Sequence, residues 1–330
     1  MGRETVISVS DFEEHRHHLF GVAYRMLGRV AEAEDVVQEA WLRWQGADHA
    51  GIRSPRAWLT TVVSRLAIDR LRSAQHRREE YVGPWLPEPL VAGIDDDPAA
   101  QADLAESLSL AFLTLPERLD PLQRAAFLLR EVFDYGYDEI APVIDRSEVA
   151  CRQIVHRAKE RLGPDRPPRF VPDPDDERRL IESFLAASGA GDVDGLRDLL
   201  AADVVAWSDG GATRHAARRP VIGAERVARF VVGIARNIPP DDVAVHLRRI
   251  NGDPGVIVRV GGEVLVVLAL EIGPDGITAL RTVLAPEKLT HLARGWSPGR
   301  AASQHPPSDA GSADRAGHLA DRGRAGEIGG

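Results

Sequence analysis

The chain has 330 residues, 44% of them hydrophobic and 28% charged, which is long enough for two or three separate cores. Its net charge of −9 argues against a free-standing nucleic-acid binder, because attraction to phosphate is the main sequence-independent part of such binding. The longest apolar run, 264–270, is too short to cross a bilayer, the amino terminus opens without an apolar signal segment, and the single cysteine, Cys151, cannot form an intrachain disulfide. The expectation is a cytoplasmic protein of several domains, without a membrane partner.

The first segment reads as three amphipathic helices. Ser10 with Glu13 forms a capping box, Phe12, Leu19, Ala23 and Met26 share a face, and Gly28 can supply a left-handed cap. In the second helix Ala33, Val36, Val37, Ala40, Trp41 and Trp44 make an apolar stripe, leaving Glu34, Asp35, Gln38 and Glu39 on an acidic shoulder. The third starts at Ser54-Pro55, an N-cap followed by proline, and turns Trp58, Leu59, Val62, Val63 and Leu66 inward. The three tryptophans on these stripes are assigned to packing. His15 and His18 lie one turn apart, but nothing completes a ligand set, so no metal and no cofactor are expected.

Charge is laid down in blocks. Residues 53–78 hold seven arginines and one acid, Asp69, whereas 79–106 hold eight acids and no lysine or arginine. Gly83, Pro84, Pro87, Pro89, Gly93, Pro98 and the Asp95-Asp96-Asp97 run break helix and make 79–105 an extended linker. A tryptophan and a leucine in its Trp85-Leu86-Pro87-Glu88-Pro89 stretch would be better buried, and the third domain is the expected recipient, with the two helical units as the alternative.

Helical periodicity resumes over 104–162 and contains a helix-turn-helix signal. Asp138-Glu139-Ile140-Ala141 opens a helix that must be short, because Pro142 sits inside it; Ser147 N-caps the next. On that helix Ala150, Ile154, Ala158 and Leu162 repeat every four residues and are expected to pack inward. Glu148, Arg152, His156 and Lys159, with Gln153 and Arg157 beside them, form an outward face of hydrogen-bonding groups. From this motif alone a DNA reader and a solvated charged helix are equally good readings. Cys151 reads as a small packing residue.

After a second proline-rich linker, 164–176, the pattern changes to helices near 177–187, 193–200 and 224–236, then to strands at 256–260 and 263–272 joined by Gly261-Gly262. A further turn at 273–276 leads into a strand over 277–284. This is an α+β domain with an antiparallel sheet over 177–292, and 293–330 reads as a disordered tail.

Taken together, the strings 33–41 (AEDVVQEAW), 55–59 (PRAWL) and 65–72 (RLAIDRLR) resemble region 2 of the extracytoplasmic-function (ECF) RNA polymerase sigma factors, and 115–162 resembles region 4. The resemblance implies an all-α region 2 over 1–78 and an all-α region 4 over 106–163. It implies docking on the polymerase clamp through Asp35, Gln38, Glu39 and Arg43. Contact with the −10 element falls to Arg65, Arg70, Arg72, Arg77 and Arg78, and contact with the −35 element to Glu148, Arg152, Gln153, His156, Arg157 and Lys159. Core RNA polymerase (clamp and flap) and promoter DNA are the implied partners of a chain that is monomeric when free.

A second resemblance, to sigma factors with a C-terminal SnoaL-like domain, rests on three segments: Trp85, Leu86, Pro87, Glu88 and Pro89; Asp209, Gly210 and Gly211; and Pro286, Lys288 and Leu289. It implies a regulatory contact in cis and no separate anti-sigma protein. Ala212 and Thr213 stand where the subgroup has glycine and lysine, and Ala285-Pro286-Glu287 where it has Asn-Pro-Asp. The alternative is a small-molecule enzyme or sensor fused to DNA-binding helices. Its candidate groups, Asp203, Asp209, His215, Arg214 and Arg281, include no closely spaced carboxylate and histidine, and no catalytic residue is expected.

Overall fold

The computed structural model describes residues 2–79, 81, 83–92, 108–163, 170–214, 216–239 and 241–294, with the side chains of 2–9, 74–79, 92, 293 and 294 left out of the description. The chain opens with α1 (Gly2–Leu27), which begins eight residues before the expected capping box. Residues 2–9 hold no proline, so nothing stops the helix there, and Ser10 is an interior position. Gly28 does take a left-handed conformation, at φ +69, with its amide donating to the Tyr24 carbonyl. The next helix, α2 (Val30–Gln45), buries Val30, Ala33, Val36, Val37, Ala40 and Trp44. In α3 (Pro55–Glu79) the Ala57 amide donates to the Ser54 hydroxyl at 3.3 Å, the expected cap.

Linker residues 91–92 form a short strand, β1 (Val91–Ala92). The second helical unit contains α4 (Leu110–Thr114), α5 (Pro121–Glu131), α6 (Tyr137–Ile144) and α7 (Glu148–Leu162). The turn between α6 and α7 passes through Asp145 at φ +54, and the Ser147 hydroxyl accepts from the Ala150 amide. The inward stripe of α7 differs from expectation: Cys151, Val155 and Ala158 are buried, whereas Ala150, Ile154 and Leu162 are only half-buried. A strict four-residue repeat drifts about 40° around the helix per step, so it cannot stay on one seam.

A single cluster of buried apolar residues runs from Phe12 in α1 through α2 and α3 to Ala158 in α7. The acidic linker separates the two helical units in sequence, but a shared core joins them.

In the third part, α8 (Pro174–Ala190) and α9 (Val193–Leu199) precede β2 (Leu200–Asp209), β3 (Val221–Ile222) and α10 (Ala224–Arg236). A meander follows: β4 (Val243–Ile250), β5 (Asp253–Val260), β6 (Glu263–Gly273) and β7 (Gly276–Val283), then α11 (Thr290–Arg294). Gly261 and Gly262, at φ +58 and +83, make the expected tight hairpin between β5 and β6. The sheet order is β1-β4-β5-β6-β7-β2-β3, with β2 parallel to β7 and every other pairing antiparallel. Sequence periodicity did not anticipate β1, β2, β3 or β4.

Each face of this sheet has its own core. Phe184, Leu196 and Val227 from the helices fill one side with Val204, Ala206 and Leu280 from the strands. On the other side Leu86 of the linker, Leu110 of α4 and Leu289 pack on Ile257, Val267 and Val283, so the linker and the second helical unit both rest on the sheet.

Candidate functional site

The outward face of α7 is where the sequence placed it. Glu148, Arg152, Gln153, His156, Arg157 and Lys159 are all exposed. Their ion pairs are surface ones, Arg152 to Glu148 at 3.6 Å, His156 to Glu160 at 3.5 Å and Lys159 to Glu131 at 2.6 Å, and such pairs exchange for a ligand at small cost. Periodicity overlooked Val149, which is 61% exposed in the first turn of this face.

The arginines of α3 are differently placed. Arg65 donates through Nη2 to the Pro142 carbonyl at 2.6 Å and through Nε to the Val143 carbonyl at 3.4 Å. Those carbonyls belong to the last turn of α6, where backbone acceptors have no helical partner, so Arg65 caps the first helix of the helix-turn-helix. Arg70 reaches Asp35 at 3.4 Å and Glu39 at 3.9 Å, joining α3 to the acidic shoulder of α2. Arg72 pairs with Asp69 at 3.5 Å, and the side chains of Arg77 and Arg78 lie outside the described residues. On α2, Asp35 and Gln38 are exposed, Arg43 holds Glu39 at 2.8 Å, and Leu42, absent from the sequence-based set, is 60% exposed among them.

The three linker and C-terminal segments meet. Lys288, fully buried, donates from Nζ to Asp209 Oδ2 at 2.7 Å and to the Leu86 carbonyl at 2.6 Å. Asp209 also accepts from the Leu86 amide at 2.7 Å, from the Tyr81 hydroxyl at 2.5 Å and from the Gly211 amide at 3.1 Å. The ammonium lies 4.4 Å from the Trp85 ring centroid and 4.9 Å from that of Tyr81. Burial pulls Lys288 down to about 8 against the opposing pull of Asp209, and burial with the Asp209 bond pushes the Tyr81 hydroxyl up. The two glycines are needed for this closeness: a Cβ on Gly210 would come within 2.4 Å of the Arg214 carbonyl, and Gly211 sits at φ +60. Leu289 buries beside Leu86.

Trp85 also touches the first helical unit, since a Cβ on Gly28 would lie 2.5 Å from the indole edge. The linker therefore contacts both candidate recipients. Glu88 continues this bridge: its carboxylate accepts from the Val30 amide at 2.8 Å and its own amide donates to the Gly28 carbonyl. Residue 29 offers α2 no side-chain cap, so Glu88 supplies one, and burial pushes its carboxyl above the usual range. Tyr24 donates to the Glu88 carbonyl at 2.6 Å and accepts from Asn251 Nδ2 at 2.8 Å, while the Leu90 amide donates to Asn251 Oδ1 at 2.9 Å. His291 donates to the Pro89 carbonyl at 2.9 Å. Tyr24, Tyr81, Asn251 and His291 were missed because their partners are 64 or more residues away, and no local pattern marks them.

Between the two helical units, Tyr135 Oη lies 2.9 Å from Thr60 Oγ1 and 3.1 Å from His18 Nε2. The enzyme candidates do not converge. Asp203 and Arg214 are exposed, Asp209 is engaged with Lys288, Arg281 is paired with Glu271 at 2.5 Å, and His215 lies outside the described residues. Among the described residues no group of three or more potential ligands could hold a metal ion, and no helix is long and apolar enough to cross a membrane.

Comparison with known proteins accounts for most of this layout. Sigma-70 region 2 matches residues 12–77 and Sigma-70 region 4 matches residues 109–162. Over 252 residues the chain is 44% identical to the ECF RNA polymerase sigma factor SigJ of Mycobacterium tuberculosis, a match covering 76% of this chain and 80% of that protein. It is 33% identical over 283 residues to a probable ECF RNA polymerase sigma factor, SigI, of the same species, covering 84% and 93%. The crystal structure of M. tuberculosis SigJ superposes with a TM-score of 0.67 at 37% identity, covering 86% of this chain and 98% of that one.

Proposed function

The chain belongs to the ECF RNA polymerase sigma factors, and from that premise we propose that it binds core RNA polymerase in the cytoplasm and directs transcription from specific promoters, under control in cis by its SnoaL-like domain. The observation that carries the proposal is the joint match to regions 2 and 4 together with the unobstructed donor face of α7. On this reading Asp35, Gln38, Glu39 and Arg43 dock α2 on the polymerase clamp, with exposed Leu42 as the apolar contact among them. Arg65, Arg70, Arg72, Arg77 and Arg78 meet the −10 element and its opened strand. Glu148, Arg152, Gln153, His156, Arg157 and Lys159 read the −35 element, with Val149 placed to touch a thymine methyl. The C-terminal domain acts as a regulator, not a catalyst, and the chain needs no separate anti-sigma protein.

The control follows from distance. Elements about 25 base pairs apart on B-form DNA lie roughly 80 Å apart. In the closed chain the −10 helix instead touches the helix-turn-helix through Arg65. Promoter engagement therefore requires regions 2 and 4 to separate. The linker ties region 2 to the SnoaL-like sheet through Glu88, Asp209 and Lys288, so releasing this contact favours the open form.

Purified core polymerase supplied with this protein is expected to start transcription at a cognate promoter, and Arg152→Ala is expected to lower promoter affinity by roughly 1–3 kcal/mol. Deleting the chain from residue 175 onward is expected to change transcript yield. A genomic promoter library that yields no dependent transcript would overturn the sigma-factor reading, and unchanged yield after the deletion would overturn control in cis.

A further inference from the structure

On the sheet face that carries the linker lies a cleft of about 470 Å³, within the range of small-molecule sites. Linker residues 83–86 form one wall, Thr114, Leu115 and Arg118 of region 4 a second, and the SnoaL-like domain the third. It is distinct from the interior between sheet and helices, which Phe184, Leu196, Val227 and Leu280 fill. Every charged residue lining it is an arginine: Arg118, Arg218, Arg219 and Arg281.

Arg281 is 5% exposed, held by Glu271 on one side and lying 4.5 Å from the centroid of Trp207. Arg118, Arg218 and Arg219 are exposed and form no ion pair among the described residues. Gly83 brings the linker backbone onto the arginine loop, since a Cβ there would lie 3.5 Å from the Arg218 Cα. Three guanidinium groups without an ion pair among the described residues, gathered beside a fourth that Glu271 neutralises, repel one another, the more conspicuously in a chain of net charge −9. Arginine forks suit a dianionic phosphate, and half-buried Trp207, with Arg281 over its ring, is the aromatic side chain in the region of the SnoaL-like domain that lines the cleft.

We propose that this cleft binds a phosphate monoester carrying an aromatic ring, with the phosphate among the arginines and the ring against Trp207. Because linker, region 4 and SnoaL-like domain each supply a wall, the occupant bears on all three and acts as an effector. The shared chemistry has two sources, an aryl phosphate and a nucleotide, which the test separates.

Isothermal titration of the full chain at low ionic strength would use phenyl phosphate and adenosine 5′-monophosphate as probes, with inorganic phosphate and adenosine as controls. One probe is expected to fill a single site at least about tenfold more tightly than either control, and its identity names the source. The double substitution Arg218→Ala and Arg219→Ala, on an exposed loop, is expected to weaken that binding at least about tenfold without moving the unfolding midpoint. Trp207→Leu is expected to remove the preference over inorganic phosphate. The proposal is overturned if neither probe saturates below about 10 mM, a limit at which affinity is negligible, if inorganic phosphate binds as tightly as the better probe, or if the arginine substitutions change nothing. Transcription is a separate readout, so failure here leaves the sigma-factor reading standing.

Discussion

Two seams hold the closed chain together, and they are made of different chemistry. Between regions 2 and 4 the contact is mostly a continuous apolar cluster, with polar touches from Arg65, from the His18, Thr60 and Tyr135 trio and from buried Arg124, which donates to the Met26 carbonyl at 2.8 Å. Between linker and SnoaL-like sheet the centre is a buried ion pair, Lys288 with Asp209, around which two backbone amides, a phenol and a carbonyl are all satisfied. Apolar packing is non-directional and yields by degrees, whereas a desolvated ion pair tolerates one geometry and is costly to half-break. On the proposed reading of control in cis, the first seam is the one that opens and the second the one that decides when it does.

The sharpest way to test that contrast is to remove one charge from the second seam. Asp209→Asn leaves the Lys288 ammonium buried without its carboxylate, and is expected to cost about 3–5 kcal/mol, read as a lowered unfolding midpoint and faster hydrogen exchange at the Leu86 amide. Adding Lys288→Met is expected to restore part of the loss, because a neutral amide beside an apolar side chain costs less than one orphaned charge. A single-substitution cost below about 1 kcal/mol would make this seam no different from the first.

A smaller effect is expected where the linker caps α2. Glu88→Ala removes the acceptor for the Val30 amide and should cost about 0.5–2 kcal/mol, seen as faster exchange in the first turn of α2. Glu88→Gln keeps an acceptor and should cost less. Equal losses for the two would mean that charge, not capping, holds the linker there.

The smallest effect concerns the first seam and pH. His18 is held down to about 4, chiefly by burial and then by Arg56, His15 and Arg25, from an ordinary value near 6.5. Above that ordinary value the imidazole is neutral whether the seam is closed or open, so it contributes no pH dependence. As pH falls from 6.5 towards 4, the opened chain takes up a proton that the closed one refuses, and closure weakens. Resonance energy transfer between labels on α3 and α7 should report a growing open fraction between pH 7 and 5, with the slope reduced in His18→Gln. An unchanged slope in that variant would assign the pH response to other groups.

What could be read from sequence was what is local. The Gly261-Gly262 hairpin and the helix-turn-helix with its Ser147 cap depend on neighbours in the chain, and they form as expected. The meeting of Trp85, Asp209 and Lys288 was legible only because three short segments resembled those of a subgroup. Strand β2, with the sequence LAADVVAWSD, alternates poorly; its pairing partner β7 lies some 75 residues on and supplies the context that local propensity lacks. The same holds for Arg65 and Arg70. Their charge was plain, but that one would cap α6 and the other cross to α2 depends on how separate helices dock.

Position 28 carries a further consequence for how such a protein can diverge. Any side chain there would strain a left-handed backbone and also strike the Trp85 indole. The turn between the first two helices and the tryptophan of the linker thus form a single fitted joint, and neither can drift without the other. Shuffling this region 2 onto another factor's linker is expected to yield a protein that folds but has lost its leash.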